Sequence, residues 1–478
     1  MSEKENDRSD FENKLQAVLE KRFEGFEKLL LCRRLSAGAS QETYRIVIST
    51  HTGKRQLAMR RSIKGVGSLL ILGAAGLATE AKLFLRAKEA GVPEPEVFYV
   101  TAPEDGVGDA FIMEWLEGET LGSRIVRSES LKNIRPKLAY QCGQILARIH
   151  ALDLEETGLG KRLVRINPED AIDMGWNRYK SFKTAQPTID YTARWLKEHL
   201  PESSRTTLVH GDFRNGNLIV SPLGVIAVLD WEAAHVGDPM RDLGWLCTNS
   251  WRFGLSDLPV GGFGDYNDLF RGYEDESGLT IDPDHVKFWE VFGSFLWAGG
   301  CLGMAEIFRS GVDNSVERPA IGRRTSECQV DCVNLLIPGP VKLVRKKNRD
   351  EISSELPRID ELVLSVRDFL RTDVMDQTQN RTNFMARVAA NSLDIVLRDI
   401  DVGDVQRQEE RKRLRTLLST DGNLETLRWK LVNGLRNGSI PLNLPGLKEH
   451  LRHTVVNQVA IDQPGYSGLK IALQAARR

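Results

Sequence analysis

Short runs of alternating apolar and polar residues characterise the first 120 positions of the chain. Apolar residues three or four apart between Phe11 and Leu30 predict a helix. Five runs with a two-residue period then predict strands, at residues 31–35, 43–48, 57–61, 97–101 and 110–115. A helix predicted at 79–90 lies between the third and fourth strands, so this part should form a small α+β lobe.

Helical periodicity replaces the alternation after residue 118. Helices are predicted at 131–152, 189–200, 242–249, 266–277 and 285–309, and residues 208–230 are predicted as loop and hairpin. A Pro-Gly-Pro sequence and a basic run predict a solvated linker, and five further helices follow between residues 359 and 458. The chain is expected to begin with an N-terminal helical extension at 1–30, followed by an N-lobe at 31–116 and a C-lobe at 117–337. A linker at 338–356 and an all-α C-terminal domain at 357–478 should follow.

Composition narrows the classes of protein. The 478 residues are 41% hydrophobic and 27% charged with a net charge of -1, which suits a multidomain globular chain and gives no electrostatic case for a nucleic-acid partner. The polar, acidic N-terminus does not resemble a signal peptide, and the apolar stretch at 66–78 is shorter than the roughly 20 residues of a membrane span. Six scattered cysteines are expected to be reduced thiols, so a cytoplasmic protein without a membrane span is expected.

The residues that suggest chemistry follow the apolar pair at 208–209. The sequence His-Gly-Asp-Phe-Arg-Asn-Gly-Asn occupies 210–217, with Asp212 and Asn217 separated by four residues. The same spacing joins the carboxylate base and the metal-binding amide in kinase catalytic loops. Asp230, after a predicted strand, offers a second oxygen ligand of the kind that Mg²⁺ prefers. The alternative is that Asp212 and Asp230 only cap turns.

Four neighbouring polar residues are predicted to support this loop. His210 is expected to hold it through a backbone hydrogen bond rather than to transfer protons. Arg214 could contact a phosphate or an anionic substrate, or could be a solvated side chain. Asp238 and Asp242 are interpreted as structural supports, with Asp238 at a helix N-terminal capping position.

Residues 30–335 resemble the aminoglycoside phosphotransferase family, which has the bilobal fold of protein kinases. They are most similar to the kinase-like domain fused to some acyl-CoA dehydrogenases, and the tail resembles a helical domain of unassigned activity associated with such proteins. The resemblance implies that Asp212 is the catalytic base and that Asn217 and Asp230 bind Mg²⁺. It therefore implies an α+β, protein-kinase-like fold followed by an all-α domain.

The resemblance also assigns an ATP site. Ser40 lies in the loop expected to cover the phosphates, although the same residues suit an ordinary hairpin. Arg60 stands where the family usually has a phosphate-pairing Lys, and Glu80 would be its partner unless the two form only a surface ion pair. The adenine would bind backbone groups of a hinge formed by Glu114, Trp115 and Leu116.

These residues predict an ATP- and Mg²⁺-dependent phosphotransferase that acts on a hydroxyl of a small molecule. Acidic residues on the helices at 266–277 and 285–309 would suit an aminoglycoside. Aromatic residues on the same helices, if some face the cleft, would instead favour an apolar acceptor such as a hydroxyacyl-CoA. The alternative function is a low-turnover nucleotide-binding scaffold whose tail recruits a partner enzyme such as an acyl-CoA dehydrogenase.

Overall fold

The strands predicted at the start of the chain pair into one antiparallel sheet. The structure is a computed structural model that describes residues 3–35, 41–62, 75–202, 205–345 and 356–474. Its strands are β1 Phe26–Arg34, β2 Gln41–Thr50, β3 Gly53–Ser62, β4 Val97–Val100 and β5 Ala110–Glu114. Their spatial order in the sheet is β1-β2-β3-β5-β4.

Two small antiparallel ladders follow the sheet. Their four strands are β6 Thr207–Val209, β7 Leu218–Ser221, β8 Gly224–Val228 and β9 His235–Gly237. One ladder pairs β6 with β9, and the other pairs β7 with β8. The β7–β8 hairpin turns at 221–224, which confirms the hairpin predicted there.

Helices make up most of the rest of the described chain. In chain order they are α1 Glu3–Arg22, α2 Leu77–Glu89, α3 Gly122–Ile125, α4 Leu138–His150, α5 Pro168–Ser181, α6 Pro187–Glu198, α7 Met240–Cys247, α8 Tyr266–Ser277, α9 Pro283–Arg309, α10 Glu317–Arg323, α11 Thr325–Leu336, α12 Ile359–Phe369, α13 Met375–Gln377, α14 Asn380–Arg398, α15 Asp404–Leu418, α16 Leu424–Asn437, α17 Leu447–Asp462 and α18 Ser467–Gln474. The order of a strand-rich part and a helical remainder confirms the predicted α+β class.

Two helices differ most from their predicted bounds. The first helix ends at Arg22 instead of reaching Leu30, because Gly25 takes a left-handed φ of 68° and the chain then enters β1. The helix predicted from residue 131 begins only at Leu138, after a 3-10 turn at Arg135–Lys137 that contains Pro136. Helix α5 was not predicted, and most of the apolar stretch at 66–78 lies outside the described residues.

The chain divides into two compact units. The first contains residues 1–168, 202–247 and 258–289, and therefore holds the sheet and both small ladders. Its sheet packs one face against α1, through Leu15, Leu19, Leu57 and Met59. Because successive strand residues point to opposite faces, Arg60 points away from this core, toward the side on which it meets Glu80 of α2.

The second unit contains residues 169–201, 248–257 and 290–478. Its core joins Tyr191 of α6 and Val333 of α11 to apolar residues of the C-terminal helices, including Leu431 and Leu451. A buried ion pair between Arg436 and Asp190, with Nε 2.8 Å from Oδ1, supports the same packing. The C-terminal helices and α6 and α11 therefore share one hydrophobic core.

Helix α9 is the one helix of the described ranges that is long and apolar enough to cross a membrane by length and composition. The apolar 18-residue segment of this helix is 61% buried within the protein, and the core helix of a soluble protein can have the same length and composition. Most aromatic residues of α8 and α9 are buried, namely Tyr273, Phe288, Trp289, Phe292 and Phe295. These side chains are core residues, so they do not supply the apolar acceptor surface considered from the sequence.

Candidate active site

The loop between β6 and β7 is fixed at its start by a buried carboxylate. Asp242 of α7 accepts the backbone N–H of His210 and that of Gly211, each at 2.8 Å. His150 Nε2 lies 3.2 Å from the same carboxylate. Burial alone would raise the pKa of Asp242, but the hydrogen bond with His150 and the backbone donors outweigh it, so its pKa lies below the ordinary value. An ionised Asp242 thus anchors the loop.

Gly211 and His210 explain the course of the loop. Gly211 has a φ of 84°, and a Cβ at this position would lie 2.4 Å from the carbonyl oxygen of Ala233. His210 Nε2 lies 3.2 Å from the carbonyl oxygen of Leu229, which links the loop to the residue before Asp230. Burial lowers the pKa of His210, so the ring is neutral and structural at this position.

Asp212 is held by three side-chain donors. Its Oδ1 accepts Trp245 Nε1–H at 2.7 Å and Arg214 Nε–H at 3.0 Å. Its Oδ2 accepts Asn217 Nδ2–H at 2.6 Å. The side chain stays 24% exposed, so the carboxylate is oriented and can still be reached from solvent.

Asp230 lies beside this loop and forms an ion pair with Arg60. Leu229 donates its backbone N–H to the carbonyl oxygen of Asn217 at 2.8 Å, and Asp230 then adopts a left-handed φ of 72°. Arg60 Nη2 donates to Asp230 Oδ1 at 2.7 Å. Burial alone would raise the pKa of Asp230, but the Arg60 guanidinium outweighs it and holds that pKa below its ordinary value.

Gln41 joins Arg60 to its expected partner Glu80. The Arg60 Nη2 and Glu80 Oε2 atoms are 3.8 Å apart, too far for a hydrogen bond. Gln41 Oε1 instead accepts Arg60 Nε–H at 2.8 Å, and Gln41 Nε2 donates to Glu80 Oε1 at 2.6 Å. Burial raises the pKa of Glu80, and Arg60 and Gln41 offset part of that rise. Arg60 and Glu80 are therefore both buried and are connected through the half-buried side chain of Gln41.

The remaining predicted site residues are Asp238, the three hinge residues and Ser40. Asp238 Oδ1 accepts the backbone N–H of Met240 at the start of α7, and its Oδ2 accepts Trp289 Nε1–H at 3.0 Å. Glu114 ends β5, and its Oε2 accepts the N–H of Glu96 at 3.2 Å. Beyond β5, Trp115 bonds to Glu117 and Leu116 is half-buried. Ser40 lies outside the described residues.

The donor atoms beside the loop fit a magnesium ion. Asn217 Nδ2 donates to both the carbonyl oxygen and Oδ2 of Asp212, at 2.9 and 2.6 Å, which leaves the amide oxygen for another partner. Asp230 uses only Oδ1 for Arg60. An amide oxygen and a carboxylate oxygen are hard ligands, and Mg²⁺ takes few protein ligands of this kind and keeps several waters.

Sequence reasoning missed Gln41 and Trp245. Trp245 lies three residues after Asp242, so the two share a face of α7. Gln41 precedes Thr43 by two residues, and Thr43 pairs with Arg60 across the β2–β3 ladder. Gln41 and Arg60 are therefore diagonal neighbours on one face of the sheet. This contact depends on the register between β2 and β3, which the sequence pattern does not predict.

Two protein-family models match parts of this chain. The model of the phosphotransferase enzyme family (APH) matches residues 32–279, and the model of a domain of unknown function, DUF6285, matches residues 376–466. The crystal structure of a "putative aminoglycoside phosphotransferase" from Ralstonia eutropha JMP134 has 26% sequence identity and a TM-score of 0.53. The similarity covers 68% of this chain and 97% of that chain.

Two curated relatives carry the name of another enzyme. "Acyl-CoA dehydrogenase family member 10" of Mus musculus is 32% identical over 308 residues, which are 60% of this chain and 27% of that protein. "Probable acyl-CoA dehydrogenase IBR3" of Arabidopsis thaliana is 29% identical over 312 residues, 59% of this chain and 37% of that protein. The chain thus spans about a third of the length of these relatives. Since the family match at 32–279 covers more than half of the 478 residues, the chain belongs to the phosphotransferase enzyme family.

Proposed function

We propose that this chain is a small-molecule kinase that transfers the γ-phosphate of ATP to a hydroxyl group with the help of Mg²⁺. The observation that carries the proposal is the anchored, solvent-reachable carboxylate of Asp212, with Asp230 and Arg60 beside the same loop. Family membership supports the reaction class, since the family consists of phosphotransferases. The acceptor, the nucleotide and the metal are parts of the proposal.

Asp212 would act as the general base. Its carboxylate would orient the acceptor hydroxyl and take its proton as the hydroxyl oxygen bonds to the γ-phosphorus. The bond from that phosphorus to the bridging oxygen would break, and its electron pair would leave with ADP. Arg214, Trp245 and Asn217 hold the carboxylate in place, so that it need not reorganise during the reaction.

Asn217 and Asp230 would hold the metal, and Arg60 would act on the phosphates. Bound Mg²⁺ would neutralise charge on the phosphate oxygens. Arg60 carries a positive charge that burial disfavours, but Asp230 and Glu80 outweigh the burial and raise its pKa. A guanidinium held in this way can pair with phosphate oxygens in a fork geometry.

The acceptor we propose is a hydroxyacyl-CoA or a related hydroxyacyl thioester. This acceptor is supported by the curated relatives, which are named as acyl-CoA dehydrogenases. The aromatic residues of α8 and α9 that are buried do not support it. The same relatives support a functional link between this chain and an acyl-CoA dehydrogenase. An aminoglycoside is the alternative acceptor, supported by the name of the similar protein from Ralstonia eutropha.

The test measures ADP formation and phosphorylated product from purified protein, ATP and MgCl₂. The acceptor panel would contain 3- and 4-hydroxyacyl-CoAs and aminoglycosides, with matched acyl-CoAs that lack the hydroxyl as controls. Asp212→Asn should lower kcat by about 10²-fold or more, because it removes the base but keeps the size of the side chain. Product formation that survives this substitution would refute the assignment. ATP binding without transfer to any acceptor would favour the scaffold function instead.

A further inference from the structure

Trp245 has no role in the family assignment, yet its indole contacts the proposed catalytic base. The residue lies on α7, which also carries the loop anchor Asp242. Its side chain is buried, with 9% of the residue exposed, and its Nε1–H donates to Asp212 Oδ1 at 2.7 Å. An indole N–H has no acceptor capacity, so this contact can only place a donor on the carboxylate.

The two oxygens of Asp212 are occupied unequally. Each carboxylate oxygen accepts about two hydrogen bonds. Oδ1 receives two, from Trp245 Nε1 and from Arg214 Nε at 3.0 Å. Oδ2 receives one, from Asn217 Nδ2 at 2.6 Å. Oδ1 is therefore saturated, and Oδ2 alone keeps a lone pair for a substrate proton.

We propose that Trp245 is a positioning residue that saturates Asp212 Oδ1 together with Arg214 and thereby makes Oδ2 the oxygen that takes the acceptor proton. This inference rests on the proposed function of Asp212 as the base. The proton leaves the acceptor hydroxyl for Oδ2, the hydroxyl oxygen bonds to the γ-phosphorus, and ADP departs with the electron pair of the broken bond.

Trp245 and Arg214 differ in what they can contribute. The Arg214 side chain is 25% exposed and can move with solvent or substrate, whereas the Trp245 indole is packed in the protein. A rigid donor on Oδ1 hinders rotation of the carboxylate about its Cβ–Cγ bond. Loss of the indole N–H would let the two oxygens exchange places, so the base would present its free lone pair toward the acceptor only part of the time.

The first experiment detects the hydrogen bond without any turnover. The protein has nine tryptophans, and its indole ¹H–¹⁵N signals can be recorded on the full chain. The Trp245 signal is identified by its absence in Trp245→Phe, and Asp212→Ala should move it upfield. Trp429, whose Nε1–H donates to Glu425 at 2.9 Å, is the matched control, and its signal should stay in place. A Trp245 signal that does not respond to Asp212→Ala overturns the proposal.

The second experiment separates positioning from folding. Trp245→Phe should lower kcat on the order of 10-fold, the effect of one hydrogen bond to a charged group, while KM for ATP changes less than about twofold. Trp429→Phe should leave both constants unchanged, and thermal melts of the two variants show whether either one is unfolded. Equal losses of kcat in both variants, or a loss that follows melting, would overturn the role.

The outcomes also separate this inference from the proposed function. If the wild-type protein forms ADP and Trp245→Phe keeps the wild-type kcat, Trp245 is not a positioning residue, but the proposed function stands. If Asp212→Asn and Trp245→Phe both retain product formation, Asp212 is not the base, and both proposals fail. If the wild-type protein transfers phosphate to no acceptor, the proposed function fails and the role of Trp245 fails with it.

Discussion

The buried carboxyl of Asp331 should make the second unit less stable as pH rises. Asp331 of α11 is only 4% exposed. Its Oδ2 accepts Tyr466 O–H at 2.6 Å, and its Oδ1 accepts Asn249 Nδ2–H at 2.7 Å. Burial raises the pKa of Asp331 to about 7, although these two hydrogen bonds favour the charged form. We predict that Asp331→Asn removes most of this pH dependence.

The sign and size follow from proton linkage. The folded-state pKa lies above the unfolded value of about 3.9, so the folded protein binds the proton more tightly. The stabilising contribution is complete below about pH 4, falls as pH rises toward about 7, and is lost above it. A difference of about 3 pKa units corresponds to about 4 kcal/mol. The stability of Asp331→Asn relative to wild type should therefore rise by up to about 4 kcal/mol between pH 4 and pH 8.

Urea unfolding followed by helical circular dichroism at several pH values measures this difference. The Asn side chain places an amide near Asn249 Nδ2, which adds a cost that does not change with pH. Only the slope of the wild-type minus variant difference is therefore informative. Glu449→Gln, at an exposed acid of the same unit, serves as the control and should give no such slope. Parallel pH curves for wild type and Asp331→Asn would refute the reasoning.

Three further substitutions, each paired with a control variant, test the site and the shared core. Arg60→Ala should destabilise the protein by about 3–5 kcal/mol and weaken ATP binding, because Glu80 is left buried without its cation. Arg60→Lys keeps the charge and should have smaller effects in thermal melts and ATP titrations. Equal effects of the two substitutions would argue against a charge effect. Gly211→Ala should lower the free energy of unfolding by about 1–3 kcal/mol and abolish phosphate transfer, since its Cβ would clash with Ala233. Gly278 has a φ of 70° with open space around it, so Gly278→Ala should leave activity unchanged. Leu451→Ala should lower the free energy of unfolding by about 2–5 kcal/mol, whereas Leu223→Ala, at an exposed position, should not. Equal losses of stability in urea for the two variants would contradict the shared core.

Local sequence determined much of the architecture and the chemistry of one loop. A two-residue period predicted strands and a three-to-four-residue period predicted helices, because each pattern reflects the geometry of neighbouring residues along the chain. The α8 helix begins and ends where the sequence predicted it, at Tyr266 and Ser277. Asp212 and Asn217 lie five positions apart, so their spacing alone indicated a joint role, and the structure places them in direct contact.

Tertiary structure decided how distant side chains complete the site. Arg60 was expected to pair with Glu80, but its shortest ion pair is with Asp230, 170 positions away. Gln41 and Trp245 enter through the register of β2 on β3 and the packing of α7 on the loop, neither of which has a local sequence period. The core shared by α6, α11 and the C-terminal helices has the same origin. Periodicity shows which face of an element is buried, and only packing in three dimensions determines which element covers it.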